Sequence, residues 1–441
     1  MATAPVLILA LLVPHGVRPA VSAADEARRF CGVWRPTIVG TEGDDVLRGT
    51  SGNDVFWARG GDDHLLGLGG HDTMCGGAGD DVIRGGSGRD WMYPAAGHDR
   101  VFGGPNRINV VDYFRSPRGV HVDLAAGEAH GWGRDVVKDV HQVMGSLFAD
   151  TITGDSGGNA LVGSSGDDVL DGVGGGDSLE GYAGDDVLRG GPGSDWVGFM
   201  DSPAPVRADL RRRTATGEGD DVLLSIEGLF GSYYDDVLIG DGGDNAFIGG
   251  VRGNDRIAGR GGDDIVYRYY GENVVSGGVG NDTVYYEFQG TVDLVTGTAV
   301  GTDFSDSISG FENARGGSER QVIVGDDGPN LLAGGGAGDV IEAGRGDDTL
   351  GGDGGSDKLA GGDGRDSIRG GRGEDQCLEG EDVAECETAT PARTAVARSP
   401  RLESFPALRA PRLPDRRSLV YALLRMLGIS THASFAESYS Q

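Results

Sequence analysis

Basic residues are scarce in this chain: 38 Lys and Arg stand against 69 Asp and Glu, for a net charge of -31. A phosphate backbone is bound by a basic face, so nucleic acid is not an expected partner. Long hydrophobic runs are missing as well. No segment approaches 18 consecutive apolar residues, so no membrane span is expected. There is no HExxH string to carry a zinc-protease helix, and no CxxC spacing to suggest a thiolate metal site. Glycine, by contrast, is abundant, at 83 of 441 residues. So acidic and Gly-rich a chain would ordinarily be read as disordered, but disorder does not require an apolar residue at a fixed place.

Such a place exists. From Gly40 to Phe102 the chain repeats every nine residues. Gly43, Gly52, Gly61, Gly70, Gly79, Gly88 and Gly97 each precede an aspartate by two positions: Asp45, Asp54, Asp63, Asp72, Asp81, Asp90 and Asp99. Leu47, Phe56, Leu65, Met74, Ile83, Met92 and Val101 follow those aspartates by two. One apolar residue in nine makes neither a helix face nor an ordinary amphipathic strand. It suits a short strand that turns one side chain inward, followed by a glycine turn carrying a carboxylate. The pattern G-G-x-G-x-D-x-U-x, with U a large apolar residue, predicts an all-β fold, a parallel β-roll solenoid. Regularly spaced carboxylates predict a hard cation with oxygen ligands, and Ca2+ fits best.

The same register returns in three later blocks. The second carries Asp168, Asp177, Asp186 and Asp195, with Asp150 and Asn159; the third carries Asp236, Asp255, Asp264 and Asp282. In the third, Asn245 and Asn273 stand at acid positions and one residue is inserted near Gly249. The fourth carries Asp339, Asp348, Asp357, Asp366 and Asp375, after Gln321 and Asn330. All of these aspartates from Asp45 to Asp375, except Asp150, are candidate calcium ligands. Sites at Asn159, Asn245, Asn273, Asn330 and Gln321 are expected to be weaker or empty.

Three related inserts separate the blocks. They contain Val122-Asp123-Leu124, Ala208-Asp209-Leu210 and Val292-Asp293-Leu294, and end at Gly145-Ser146, Gly231-Ser232 and Gly317-Ser318. They read as longer strands or hairpins that extend the sheet, with the Asp-Leu pair structural. The expected organisation is a signal peptide over 1–23, a cap over 24–39, and repeats over 40–106, 145–198, 231–285 and 316–387. Inserts occupy 107–144, 199–230 and 286–315, and a basic, Pro- and Arg-containing tail, expected to be disordered, occupies 388–441. Within that tail Ser418 to Leu427 predicts a short helix, with Ser418 as cap and Gly428 as stop.

Within a repeat, glycine allows the turn to visit positive φ and lets carbonyls approach an ion. Two nonapeptides close one coil, so residues 18 apart stack. Expected partners are Asp45 with Asp63, Asp54 with Asp72, Asp72 with Asp90, Asp168 with Asp186, and Asp348 with Asp366. On these motifs the chain resembles the RTX (hemolysin-type) calcium-binding repeat proteins over roughly residues 40–378. The opening Thr37-Ile38-Val39-Gly40-Thr41 with Gly43-Asp44-Asp45-Val46-Leu47, and the flanking cysteines, look like secreted actinobacterial members. The resemblance implies parallel β-rolls that are disordered without calcium and folded in extracellular calcium. The protease domain that often precedes such repeats is not expected, since no HExxH occurs, and an apolar helical region of the kind pore-forming relatives use is absent from the sequence.

Four cysteines follow the signal segment. The ends of a stacked solenoid are too far apart to bridge, so Cys31–Cys75 and Cys377–Cys386 are the expected disulfides. Two strings invite a catalytic reading. Gly154-Asp155-Ser156-Gly157-Gly158 spells the surroundings of a protease serine, yet the equivalent units Gly240-Asp241-Gly242-Gly243 and Gly325-Asp326-Asp327-Gly328 have no serine. His121, His130 and His141 with Asp135 match no known metal spacing and read as surface or packing residues. The expected protein is secreted, non-enzymatic and calcium-binding, a cell-surface or matrix component with an unidentified ligand there. The alternatives are the repeat module of an exported enzyme or toxin, and an adhesin binding its ligand through the inserts.

Overall fold

The computed structural model describes residues 35–105, 109–268, 270–302 and 304–386, and the backbone alone of 388–391. The predicted signal segment, Cys31 and the predicted helix over 418–427 lie outside the described residues. All regular structure among the described residues is β. Two compact units divide it: residues to 116 with 128–140, and 117–127 with residues from 141 onward.

In the first unit two parallel ladders climb in steps of one lap. One stacks Phe56 on Ile38, Met74 on Phe56 and Met92 on Met74. The other stacks Leu65 on Leu47, Ile83 on Leu65 and Val101 on Ile83. Each step is 18 residues, as two nonapeptides per coil require. The middle residue of each three-residue step faces inward, and Phe56, Leu65, Met74, Ile83, Met92 and Val101 are all fully buried, while Trp57 and Cys75, next to middle residues, form a separate buried cluster. These inward residues form a file, each resting on the one below, and fully burying such a side chain stabilises by about 1.5–3 kcal/mol. Gly70 shows why the turns need glycine: its φ is +106°, and a Cβ there would strike the Gly52 backbone.

The second unit repeats the arrangement. Leu179 stacks on Leu161 and Leu188 on Leu170, again 18 apart. Near Gly249 the step becomes 19, with Val266 on Phe247 and Ile257 on Leu238, so the extra residue is absorbed in a turn without disturbing the ladders.

The inserts form antiparallel meanders of short strands. Asp220–Leu224 pairs parallel with Val187–Arg189 below it, then antiparallel with Thr214–Thr216. That strand pairs antiparallel with Arg207–Asp209, which pairs parallel with Val237–Ile239. The third insert follows the same path through Ser305–Ser309, Thr298–Gly301 and Gly290–Asp293. On the opposite sheet Gly228–Phe230 pairs directly with Trp196–Gly198 and Ala246–Ile248. Each of these two inserts therefore adds two strands to one sheet and none to the other. In the first insert, Arg134–Lys138 pairs with Arg100–Phe102 and Glu128–His130 within the first unit. The Asp-Leu aspartates shape the meander turns: Asp123, Asp209 and Asp293 accept the backbone N–H of Ala126, Arg212 and Thr296.

Cys377 and Cys386 are joined by a disulfide, with Cα atoms 6.0 Å apart. Cys75 is disulfide-bonded, and its expected partner Cys31 lies outside the described residues.

Candidate metal centres

The repeat aspartates line up in columns at the corners between strands and turns. Asp63 accepts the N–H of Asp45 at 2.7 Å, Asp72 that of Asp54 at 2.9 Å, and Asp90 that of Asp72 at 3.0 Å. Asp186 accepts from Asp168 at 2.8 Å and Asp366 from Asp348 at 3.1 Å. The five expected pairs are thus neighbours through a hydrogen bond between coils. In return, the residue before each aspartate often bonds the other way, as Asp44 accepts the N–H of Asp62 at 2.9 Å. Every such bond uses Oδ1 and leaves Oδ2 for something else.

What Oδ2 meets divides the corners into two classes. At sixteen of the twenty candidates it is buried with no hydrogen-bond partner: Asp63, Asp72, Asp81, Asp90 and Asp99; Asp168, Asp177, Asp186 and Asp195; Asp264 and Asp282; and Asp339, Asp348, Asp357, Asp366 and Asp375. Four residues before each of these stands a residue with positive φ, glycine or not, among them Arg59, Leu68, Val173 and Tyr182. That backbone conformation turns the amide at this position away from the carboxylate, and the corner is open.

The other class is capped. Asp45 and Asp54 take the N–H of Thr41 and Thr50 on Oδ2, both at 2.6 Å, and each also accepts the threonine hydroxyl. Asp236 is held by the Ser232 amide and hydroxyl and by the Val206 amide. Asp150 is held the same way by Ser146. Asn159, Asn245 and Asn330 accept the amides of Asp155, Asp241 and Asp326. The GDSGG string is one of these capped turns. Gly157 donates to Asp155 as Gly243 donates to Asp241 and Gly328 to Asp326, with or without a serine. Asp255, which follows the extra residue, accepts the Asp236 amide at 2.9 Å and belongs to neither class.

An unpaired carboxylate oxygen in a dry corner is costly, by about 1–3 kcal/mol even for an ordinary polar group and more for a charged one. Burial, with the Asp90 and Asp54 carboxylates adding to it, pushes Asp72 up to about 7. Asp81, Asp168 and Asp339 are raised to about 7 chiefly by burial. Asp99 rises to about 9, through burial and then the charge of Asp135. Each corner is poised to take up positive charge.

The donor set suits a hard divalent ion. The Asp72 Oδ2 and the Gly85 carbonyl converge on the space where Gly67 would carry a Cβ. Asp177 and the Gly190 carbonyl meet beside Gly172, and Asp264 and the Gly277 carbonyl beside Gly259, in the same manner. Oxygen-only ligands, part carboxylate and part carbonyl, are those calcium prefers. Among the described residues no three His, Cys, Asp or Glu side chains converge.

Several acids in the columns escape the nine-residue count. Asp135, Asp221 and Asp306 of the inserts accept the amides of Asp99, Asp186 and Asn273 at 3.0, 3.1 and 2.8 Å. Glu227, Glu312 and Glu381 do the same for Asp195, Asp282 and Asp366. A signal for them existed: each lies two residues before an inward apolar residue, such as Val137, Leu223 or Ile308. Gln321 sends its amide nitrogen to the Phe288 carbonyl, filling its corner with its own side chain.

A family model of the RTX calcium-binding nonapeptide repeat matches residues 39–74, 76–105, 144–179, 171–197, 229–251, 249–284, 315–350 and 351–378. No curated protein matches the chain. The matched segments carry the repeat corners and cover more than half of the sequence, while Asp135, Asp221, Glu227, Asp306, Glu312 and Glu381 lie outside them. This chain belongs to the RTX calcium-binding nonapeptide repeat family, folded as a parallel β-roll.

Proposed function

We propose that the chain is an exported, non-enzymatic protein whose folding is driven by calcium and which serves as a rigid element at the cell surface or in the extracellular matrix. Calcium entering the open corners neutralises Asp Oδ2 groups that no protein donor reaches, and so joins successive coils. The observation that carries this reading is the set of sixteen buried, unpartnered carboxylate oxygens, which at corners such as Asp72, Asp177 and Asp264 lie beside a carbonyl of the next lap. Since the ligands converge only when coils stack, binding energy is folding energy. In low calcium the acidic chain stays expanded by self-repulsion; in extracellular calcium it stiffens. The Cys377–Cys386 bridge suits an oxidising compartment, as does the apolar stretch Val6 to Val13 ahead of Val21-Ser22-Ala23.

The test is circular dichroism during a calcium titration of the chelated chain, with bound metal counted. A chain fully structured in chelator and unchanged by calcium would falsify the coupling. Export is checked by fractionating expressing cells and sequencing the mature N-terminus, where cleavage after Ala23 is expected.

A further inference from the structure

One corner of the third block carries its own cation. In most repeats of this chain the position five residues before the acid is glycine, as with Gly259 before Asp264 and Gly277 before Asp282, and elsewhere it is the uncharged Ala58, Pro94 or Ala343. Before position 273 it is Arg268, and the acid itself has become Asn273. Both changes act in the same direction, together adding two positive charges to the corner, as many as one calcium ion would bring. Arg268 is buried and its Nε donates to Asp306 at 2.7 Å, with side-chain exposures of 2% and 0%. Its Nη2 donates to the Gly271 carbonyl, and the guanidinium lies 3.9 Å over the Phe304 ring. Asp306 also accepts the Tyr286 hydroxyl at 2.9 Å and the Asn273 amide at 2.8 Å. Its Oδ2, the atom left bare at the open corners, is here supplied with two donors.

We propose that Arg268 stands in for the metal ion at this corner, making the third insert a calcium-independent nucleus on which the calcium-dependent coils build. A buried arginine–carboxylate pair whose guanidinium also donates to a backbone carbonyl holds two strands from different laps without any ion. The exit of the insert is sealed similarly, by the Gln321 amide on the Phe288 carbonyl. The nearest open corners on one side are Asp264 and Asp282, and on the other Asp339 and Asp348. Calcium entering them extends a stack already begun.

This inference rests on calcium-coupled folding of the remainder. It is tested by hydrogen exchange on the full chain, first dialysed free of metal and then in saturating calcium. Without metal, amides of Ile265–Arg268, Thr283–Tyr286 and Ser305–Ser309 should exchange at least about tenfold more slowly than those of Val340–Arg345 and Lys358–Asp363. The double substitution R268G/N273D, which restores the repeat pattern, should erase that difference and raise the calcium count by one. Rapid exchange of both regions in the metal-free chain overturns this inference alone. Strong protection of both regions without metal overturns it together with the calcium-coupled reading. Protection that survives R268G/N273D also overturns it.

Discussion

Asp135 stands to Asp99 as Asp99 stands to Asp81. Its Oδ1 accepts the Asp99 amide at 3.0 Å, where Asp99 accepts that of Asp81 at 2.8 Å, although 36 residues intervene in the first case and 18 in the second. The column passes from the repeat into the insert unbroken. Tyr113 steadies the new member, its hydroxyl 3.0 Å from the Asp135 Oδ2. Asp135→Ala leaves the Asp99 amide and the Tyr113 hydroxyl without their acceptor, so it should raise the calcium midpoint of folding and leave the calcium count unchanged. A count lowered by one in metal analysis would place Asp135 among the ion sites.

The two classes of corner respond differently to losing their acid. Asp72→Ala and Asp186→Ala remove an unpartnered Oδ2, so both should lower the calcium stoichiometry and shift the midpoint upward. Asp236→Asn acts on a carboxylate already held by Ser232 and Val206. It should leave the count unchanged and weaken the calcium-loaded fold by about 1–3 kcal/mol, through donors left without a full acceptor. Equilibrium dialysis with denaturant unfolding separates the two effects.

Cradle glycines differ in what surrounds them. A Cβ on Gly67 would fall on the Asp72 Oδ2 and the Gly85 carbonyl, whereas one on Gly43 meets nothing within 4 Å. Gly67→Ala should block the ion at Asp72 and cost about 1–3 kcal/mol by overpacking. Gly43→Ala should be neutral or stabilising by about 0.4–1 kcal/mol through the unfolded chain. Thermal melts in calcium test both, and equal losses would mean that space beside the carboxylate is not what matters.

Val173 holds a φ of 75°, a conformation that a β-branched residue adopts at a cost of about 1–2 kcal/mol. It is the residue four before Asp177, where the open corner demands that conformation. Val173→Gly should relieve the strain, lower the calcium midpoint and leave the stoichiometry unchanged. A raised midpoint would show that the valine side chain, partly exposed on the turn, contributes more by packing than the strain costs.

Acidity should mimic calcium in part. Asp72, Asp168 and Asp339 have folded values near 7, above their ordinary 3.8, because burial disfavours the charged form. A raised acid means that the folded state binds more protons than the unfolded one between about pH 4 and 7, so metal-free stability falls as pH rises through that window. The metal-free chain should show more β-structure at pH 5 than at pH 7.5. In the calcium-loaded protein the sign reverses, since protons compete for the same oxygens, and the calcium midpoint should rise as pH drops below 7. Circular dichroism at the two pH values, with and without calcium, reads both slopes.

The nine-residue period made the stacking legible because each lap repeats the same local instruction: glycine to turn, aspartate at the corner, one apolar residue inward. Phe56 on Ile38 and Leu188 on Leu170 follow from counting alone. The inserts were less legible. Glu227 and Asp221 reach their columns only after a meander folds back, and sequence distance carries no trace of that return. Whether a corner is open or capped was half visible. A serine or threonine four residues before the acid announces the cap, as Thr50 does for Asp54, yet Ser164 in that place before Asp168 adopts positive φ and leaves its corner open.

Sequence alone determined that the chain coils, which residues line its interior, and that its corners are acidic, since these depend on neighbours within a single nonapeptide. Tertiary structure decided which carboxylate oxygens stay bare and where an arginine takes the ion's place. Those outcomes depend on backbone torsion and on groups from another lap, and a linear pattern specifies neither.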